Sequence, residues 1–205
     1  MRARPFLLTL LSVFVVFAAC VASASAHSFI IEGKEIAKGE TVTAEGTAGP
    51  SILRGEEVEG ECKKSTSVAE LEAEGKSKST STTTECRIIG DAPCKITEPI
   101  KESTKDELVI SNEKLAMKVL PASGEVFTTV TVKGCNQSEL NGEWKMEGSQ
   151  ISELPEANVE KVEHEFVDKP SGSSLKAVKS GESHRITVES KGKTKLTSGK
   201  KWHSS

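Results

Sequence analysis

Along Leu140-Asn141-Gly142-Glu143-Trp144-Lys145-Met146-Glu147 every even position is apolar or glycine and every odd one polar, the alternation of a β-strand with one buried face. Val126, Thr128, Val130 and Val132 form a second such row. Val162, His164 and Phe166 form a third, and Ile186 and Val188, set between Arg185, Thr187 and Glu189, a fourth. Turn formers punctuate these runs: Glu32-Gly33, Lys38-Gly39, Ala48-Gly49-Pro50, Ser123-Gly124, Pro170-Ser171-Gly172, Ser180-Gly181 and Lys191-Gly192. Their short spacing suits hairpins rather than βαβ units and predicts an all-β domain, an antiparallel sandwich or barrel in meander or Greek-key order.

Helix is weakly supported. Ser67-Val68-Ala69-Glu70-Leu71-Glu72-Ala73-Glu74 contains good helix formers, but its apolar spacing also fits a strand carrying Val68 near Cys62. The polar stretch that follows, Gly75 to Thr84, fits either a mobile loop or a Thr-rich exposed strand leading into Cys86.

The amino terminus belongs to another class of sequence. MRARP is a short basic region, the apolar run after it has no acidic residue, and Ala24-Ser25-Ala26 is a small-x-small cleavage site. Residues 1–26 therefore read as a signal peptide and residues 27–205 as a single secreted β domain beginning at His27, with no transmembrane segment after cleavage. Phe17-Ala18-Ala19-Cys20 offers an alternative, because it resembles a lipoprotein box in which Cys20 is lipidated and anchors the domain at the membrane.

Export changes the meaning of the cysteines. Cys62, Cys86, Cys94 and Cys135 are an even number in an oxidising compartment, which reads as two disulfides with three possible connectivities. Gly90-Asp91-Ala92-Pro93 supplies a turn that could bring Cys86 to Cys94 and leave Cys62 for Cys135, and that pairing is the one expected.

Val, Ile, Leu and Phe make up about a fifth of the residues from His27 onward, close to the floor for a folded chain. The core is thin and the cross-links matter. The same region has no Tyr and five aromatics, Phe29, Phe127, Trp144, Phe166 and Trp202, too few for base-stacking platforms, so no nucleic acid is expected as a partner. Residues 27–168 carry 16 Lys and Arg against 28 Asp and Glu, whereas residues 169–205 carry 9 against 2. This asymmetry suits a Lys-rich terminal strand pair at a sheet edge, or attraction to anionic envelope polymers or another protein.

Motifs for chemistry are sparse. His164-Glu165-Phe166-Val167-Asp168 begins like a zinc-binding HExxH helix, but Asp168 stands where the second His belongs and the local pattern is that of a strand. Ser173-Ser174-Leu175-Lys176 and Lys179-Ser180-Gly181 match fragments of penicillin-recognising enzymes at the wrong separation. Asn136-Gln137-Ser138 is a glycosylation sequon. An amino-terminal His27 could hold copper through its α-amine and ring, with His184 or His164 as partner. No GxSxG, P-loop or dinucleotide motif is present, and the many carboxylates leave a glycosidase pair unidentifiable.

Pro93-Cys94-Lys95-Ile96 with Pro99-Ile100, Val132-Lys133-Gly134-Cys135 and the closing Leu196-Thr197-Ser198-Gly199 give the chain a layout that resembles a group of functionally uncharacterised secreted β proteins of soil actinobacteria. The likeness spans most of residues 30–199 and implies a disulfide-bearing β fold without an assigned activity. The expectation is an exported, non-catalytic binding or structural protein with no cofactor and no metal. The alternatives are a secreted hydrolase with unidentified catalytic residues and a copper protein using His27.

Overall fold

The computed structural model describes residues 27–56, 58–91 and 93–205. The leader reading of residues 1–26 and the Cys20 alternative lie outside the described residues. Seventeen strands are present among them: β1 (Phe29–Ile31), β2 (Lys34–Glu35), β3 (Val42–Ala48), β4 (Ser51–Arg54), β5 (Glu59–Leu71), β6 (Lys76–Ile88), β7 (Lys95–Ile96), β8 (Ile100–Ser111), β9 (Lys114–Pro121), β10 (Val126–Lys133), β11 (Gly142–Glu147), β12 (Gln150–Glu153), β13 (Glu163–Lys169), β14 (Lys176–Lys179), β15 (Glu182–Arg185), β16 (Thr187–Leu196) and β17 (Trp202–Ser204). Among the described residues helix is confined to two single 3₁₀ turns, Ala73–Gly75 and Ser138–Leu140. No described helix is long and apolar enough to cross a membrane.

All strand pairings are antiparallel, and eight of the strands close on themselves as a barrel. The ring runs β6-β8-β9-β12-β13-β16-β3-β5 and returns to β6. Beyond the ring the long strands β5 and β6 continue into an extension of the same sheet. There β4 takes over from β3 between β5 and β16, while β7, β10, β11, β14 and β15 extend from β6. Ile186 joins β15 directly to β16, and its N–H donates to Leu175 O at 3.1 Å. Of the two expected architectures, sandwich and barrel, the chain adopts the barrel, with the extra strands built onto one end.

The passage from ring to extension is marked in β5 and β6. Cys62 lies opposite Cys86 and Lys64 opposite Thr84, and between these pairs Glu85 adopts a left-handed conformation (φ 58°). On one side of it Ser65 and Ser67 line the interior, and on the other Gly60, Glu61 and Cys62. The carboxylate of Glu98 holds the irregularity by accepting from the N–H groups of Glu85 and Cys86.

The disulfides are Cys62–Cys86 and Cys94–Cys135, which corrects the expected pairing of Cys86 with Cys94 and Cys62 with Cys135. The reason is register. The turn after β6 sets Arg87 opposite Lys95, so Cys94 falls beside Ile88 and Cys86 beside Ile96, two places out of step. Ile96 and Lys95 meanwhile pair with Val132 and Lys133, which delivers Cys94 to Cys135 at the ends of the same two strands.

Both ambiguous segments are strands, β5 and β6. Val68 is half exposed at 50%, while Ser67, Ala69 and Leu71 turn inward with Ser77, Ser79, Ser81 and Thr83 of β6. The Ser/Thr stretch is therefore neither a loop nor a wholly exposed strand. Val162 also departs from expectation, being 40% exposed just before β13. In β10 a register shift between Val126 and Thr128 turns Phe127 inward in place of Val126.

Lys191-Gly192 is not a turn but the middle of β16, where Gly192 lies against the Phe166 ring and Thr47 O so closely that a Cβ would overlap both. The need for glycine here is steric. The Lys-rich strand is likewise not an edge strand, since β16 is paired with β13 on one side and β3 and β4 on the other. Two of its outward lysines are matched across the ladder: Lys195 opposes Glu163 and Glu45, and Lys193 opposes Glu165 and bonds Glu163 at 2.9 Å. Such exposed pairs contribute little individually but suppress like-charge repulsion along the strand.

One end of the ring is closed by a small sheet of order β17-β1-β2. Phe29 and Trp202 from that sheet pack with Leu71, Leu108, Leu115 and Leu196 as the main apolar cluster. Leu175, Ala177 and Ile186 form a second cluster under the extra strands, flanked by Phe127, Trp144 and Met146.

Candidate functional site

An eight-stranded barrel has an interior that large side chains fill and small ones leave open. Between the two apolar clusters this barrel presents small polar residues, and a cavity of about 810 Å³ remains, within the range of small-molecule sites. Its middle is lined by Ser65 and Ser67 of β5, Ser77, Ser79, Ser81 and Thr83 of β6, and Thr104 of β8, with Ser152 and Ser190 across the lumen. Strand alternation sends Lys76, Lys78 and Thr80 outward and the serines inward.

Three carboxylates face this space: Glu102 and Asp106 from β8 and Asp168 from β13. Asp168 accepts from the hydroxyls of Ser152 and Ser190. Ser81 donates to Glu102 at 3.4 Å and Ser77 to Asp106 Oδ2 at 3.1 Å, while Ser79 and Thr104 share a hydrogen bond of 2.6 Å. Asp106 Oδ1 is buried and has no hydrogen-bond partner. Burial holds the Glu102 carboxyl above the usual carboxylate range, and the nearby negative charge of Asp168 adds to this against the Ser81 hydrogen bond. Burial likewise raises Asp106, opposed by the hydroxyls of Thr104, Ser77 and Ser79.

The two ends of the cavity differ. The ring end has an apolar floor of Phe29, Leu71 and Trp202, below which buried His164 places Nε2 2.7 Å from Trp202 O. Loss of solvation lowers the His164 pKa. At the other end Phe127, Trp144 and Met146 line the wall, and the exposed residues Glu56, Glu139, Ser180 and Glu182 form a rim. Lys179 is tied down there by the carbonyls of Glu139 and Asn141 and lies 5.2 Å from the centre of the Trp144 ring.

The residues singled out from sequence lie elsewhere or are otherwise engaged. His27 Nδ1 is 3.1 Å from Ser205 O, His184 sits edge-on to Trp144 at 5.6 Å, and His164 faces Trp202, so the suggested copper ligands are dispersed. In β13 His164 is buried and Glu165 exposed, opposite faces of a strand rather than one face of a zinc helix. Ser173 donates to Lys169 O, and Lys176 pairs with Glu147 at 3.0 Å; Ser180-Gly181 is the turn between β14 and β15. Asp91, Cys94 and Cys135 are the one group among the described residues with ligand atoms close enough for a metal, but both sulfurs are spent in a disulfide. Asp91 instead accepts from Asn136 N at 2.9 Å and Asn136 Nδ2 at 3.0 Å, which engages the sequon amide in holding the loop.

Sequence reasoning missed Glu102 and Asp106, and met Asp168 only as the residue that breaks the HExxH pattern. The signal was present as a period-two row, Glu102, Thr104, Asp106 and Leu108, beside Ser77, Ser79, Ser81 and Thr83. Rows of this composition ordinarily face solvent. Comparison of the chain with models of known families, with curated proteins and with solved structures found no match.

Proposed function

We propose that the protein is an exported, non-catalytic binding protein that encloses a small molecule in its barrel. The observation that carries this reading is the cavity itself, a polar middle between an apolar floor and an aromatic wall, in a barrel whose serines leave that volume open. Two disulfides suit an oxidising extracellular setting. The test of binding is titration with N-phenyl-1-naphthylamine, a neutral environment-sensitive fluorophore. Saturable blue-shifted emission at one molecule per protein, weakened by the lumen-filling pair Ser79→Leu and Ser81→Leu, is expected. No saturable signal with folded protein overturns the reading. Cleavage after Ala26 is tested by mass spectrometry of secreted material, where an amino terminus at His27 is expected; a lipid on Cys20 contradicts the unanchored form and an intact Met1 contradicts the processing.

One observation favours a hydrolase as the second reading. Glu102, held above the usual range by burial, and Asp168 face the same cavity, and glycoside hydrolysis employs a pair of carboxyl groups. That reading requires glycoside turnover that disappears in Glu102→Gln. The binding reading expects background rates for both proteins.

A further inference from the structure

We infer that the ligand of the barrel is a small organic cation, an amine with an apolar body, whose charged end lies against the lumenal carboxylates. This rests on the binding reading above and names the ligand class of that same cavity. Asp106 is 9% exposed and lines the cavity, and its Oδ1 has no partner. A buried carboxylate oxygen without a donor is costly, and an ammonium supplies both the charge and the N–H groups it lacks. Glu102 and Asp168 add two further acids to the same lumen. Among the described residues lining the cavity Lys179 is the one lysine or arginine, and it is held by two backbone carbonyls near Trp144. No lysine or arginine is therefore in place beside the three acids, and the lining histidine, His184, lies against Trp144 at the other end.

The acids are spread rather than convergent, which decides the kind of cation. Glu102 and Asp106 are four residues apart on β8, roughly 13 Å at the rise of a strand. No three carboxylate oxygens of the described residues come within 4.8 Å of one another in the lumen, so the site is not a cage for a bare metal ion. Phe127, Phe166 and Met117 line the same space and offer apolar and π surface to an alkyl or aryl body. The rim carries Glu56, Glu139 and Glu182, a sign of charge that raises the local concentration of cations at the entrance. Burial raises both Glu102 and Asp106, the condition that an entering cation relieves.

The experiment uses three probes of one length, octylammonium, octanol and octanoate, titrated calorimetrically into the purified protein at neutral pH. Octylammonium is expected to bind at least tenfold more tightly than octanol, with octanoate weakest. In a Glu102→Gln, Asp106→Asn variant the octylammonium affinity is expected to fall to that of octanol, with octanol unchanged. Glu107→Gln, on the outward face of the same strand, is expected to leave all three as they were. Octanol or octanoate binding as tightly as the amine overturns the cation inference and leaves the binding reading standing. If none of the three binds while N-phenyl-1-naphthylamine does, the cation inference fails and the binding reading stands. Should the double variant not fold, the order of the three affinities in the unaltered protein decides alone.

Discussion

The β5–β6 hairpin and the strand β11 obey the same alternation with opposite results. In β11 the lumenal row is Trp144 and Met146, and the charged residues between them face out. In β5 and β6 the lumenal row is Ser65, Ser67, Ser77, Ser79, Ser81 and Thr83, while Val68 is left half exposed. Period two assigns residues to faces, but the partner strands decide which face is inside. In β11 packing against Leu175, Ala177 and Ile186 rewards the apolar row. In β5 and β6 closure of the ring turns the hydroxyl row inward, where other hydroxyls and three carboxylates meet it.

If the apolar ends carry the stability and the serine-lined middle is kept open for a ligand, substitutions in the two regions should differ sharply. Trp202→Ala, in the floor at 3% exposure, is expected to cost about 3 to 5 kcal/mol in urea unfolding; a loss below 1 kcal/mol would mean that the floor is not the principal core. Removing either disulfide by Cys→Ser pairs is expected to cost about 3 to 4 kcal/mol on loop entropy, from separations of 24 residues for Cys62–Cys86 and 41 for Cys94–Cys135. That corresponds to a fall in Tm of about 10 °C. Non-reducing peptide mapping checks the connectivity directly.

Gly192→Ala, under the Phe166 ring, is expected to cost roughly 1 to 3 kcal/mol by overpacking; an unchanged urea midpoint would show that β13 and β16 can separate there freely. Thr83→Val, which keeps the shape and loses the 3.1 Å hydrogen bond to Ser65, is expected to change stability by less than about 1 kcal/mol. A cost as large as that of Trp202→Ala would place the serine-lined middle within the essential core and erase the contrast.

The smallest expected effect is on pH dependence. Glu102 and Asp106 are raised by burial, so the folded protein holds protons that the unfolded chain releases. Their contribution therefore makes stability rise as pH falls from the raised values toward about 4, where the unfolded groups also protonate. Glu153, lowered by its bond to Lys169, and Glu163, lowered by its bond to Lys193, act in the other sense; what they add is lost only as pH falls through the normal range and below. Urea midpoints at pH 7 and pH 5 should show the lumenal contribution, and Glu102→Gln should flatten it. An unaltered slope would mean that Glu102 titrates as an ordinary surface acid.

Local pattern alone placed four of the strands. The rows of β10, β11, β13 and β16, most turns and the even count of paired cysteines were legible because side-chain alternation and turn chemistry are local. It did not determine the partners of those strands. Cys94 meets Cys135, and not Cys86, because β7 pairs with β6 two places away from the register a Cys86–Cys94 hairpin would need, while its pairing with β10 brings Cys94 to Cys135. Gly192 reads as a turn residue and is the gap that receives the Phe166 ring. Glu102, Asp106 and Asp168 read as ordinary surface acids and are drawn into one lumen only when β8, β13 and their neighbours close the ring. Closure is a long-range event between strands more than sixty residues apart in the chain, and no local pattern of polar and apolar residues records which side of a half-polar strand it will enclose.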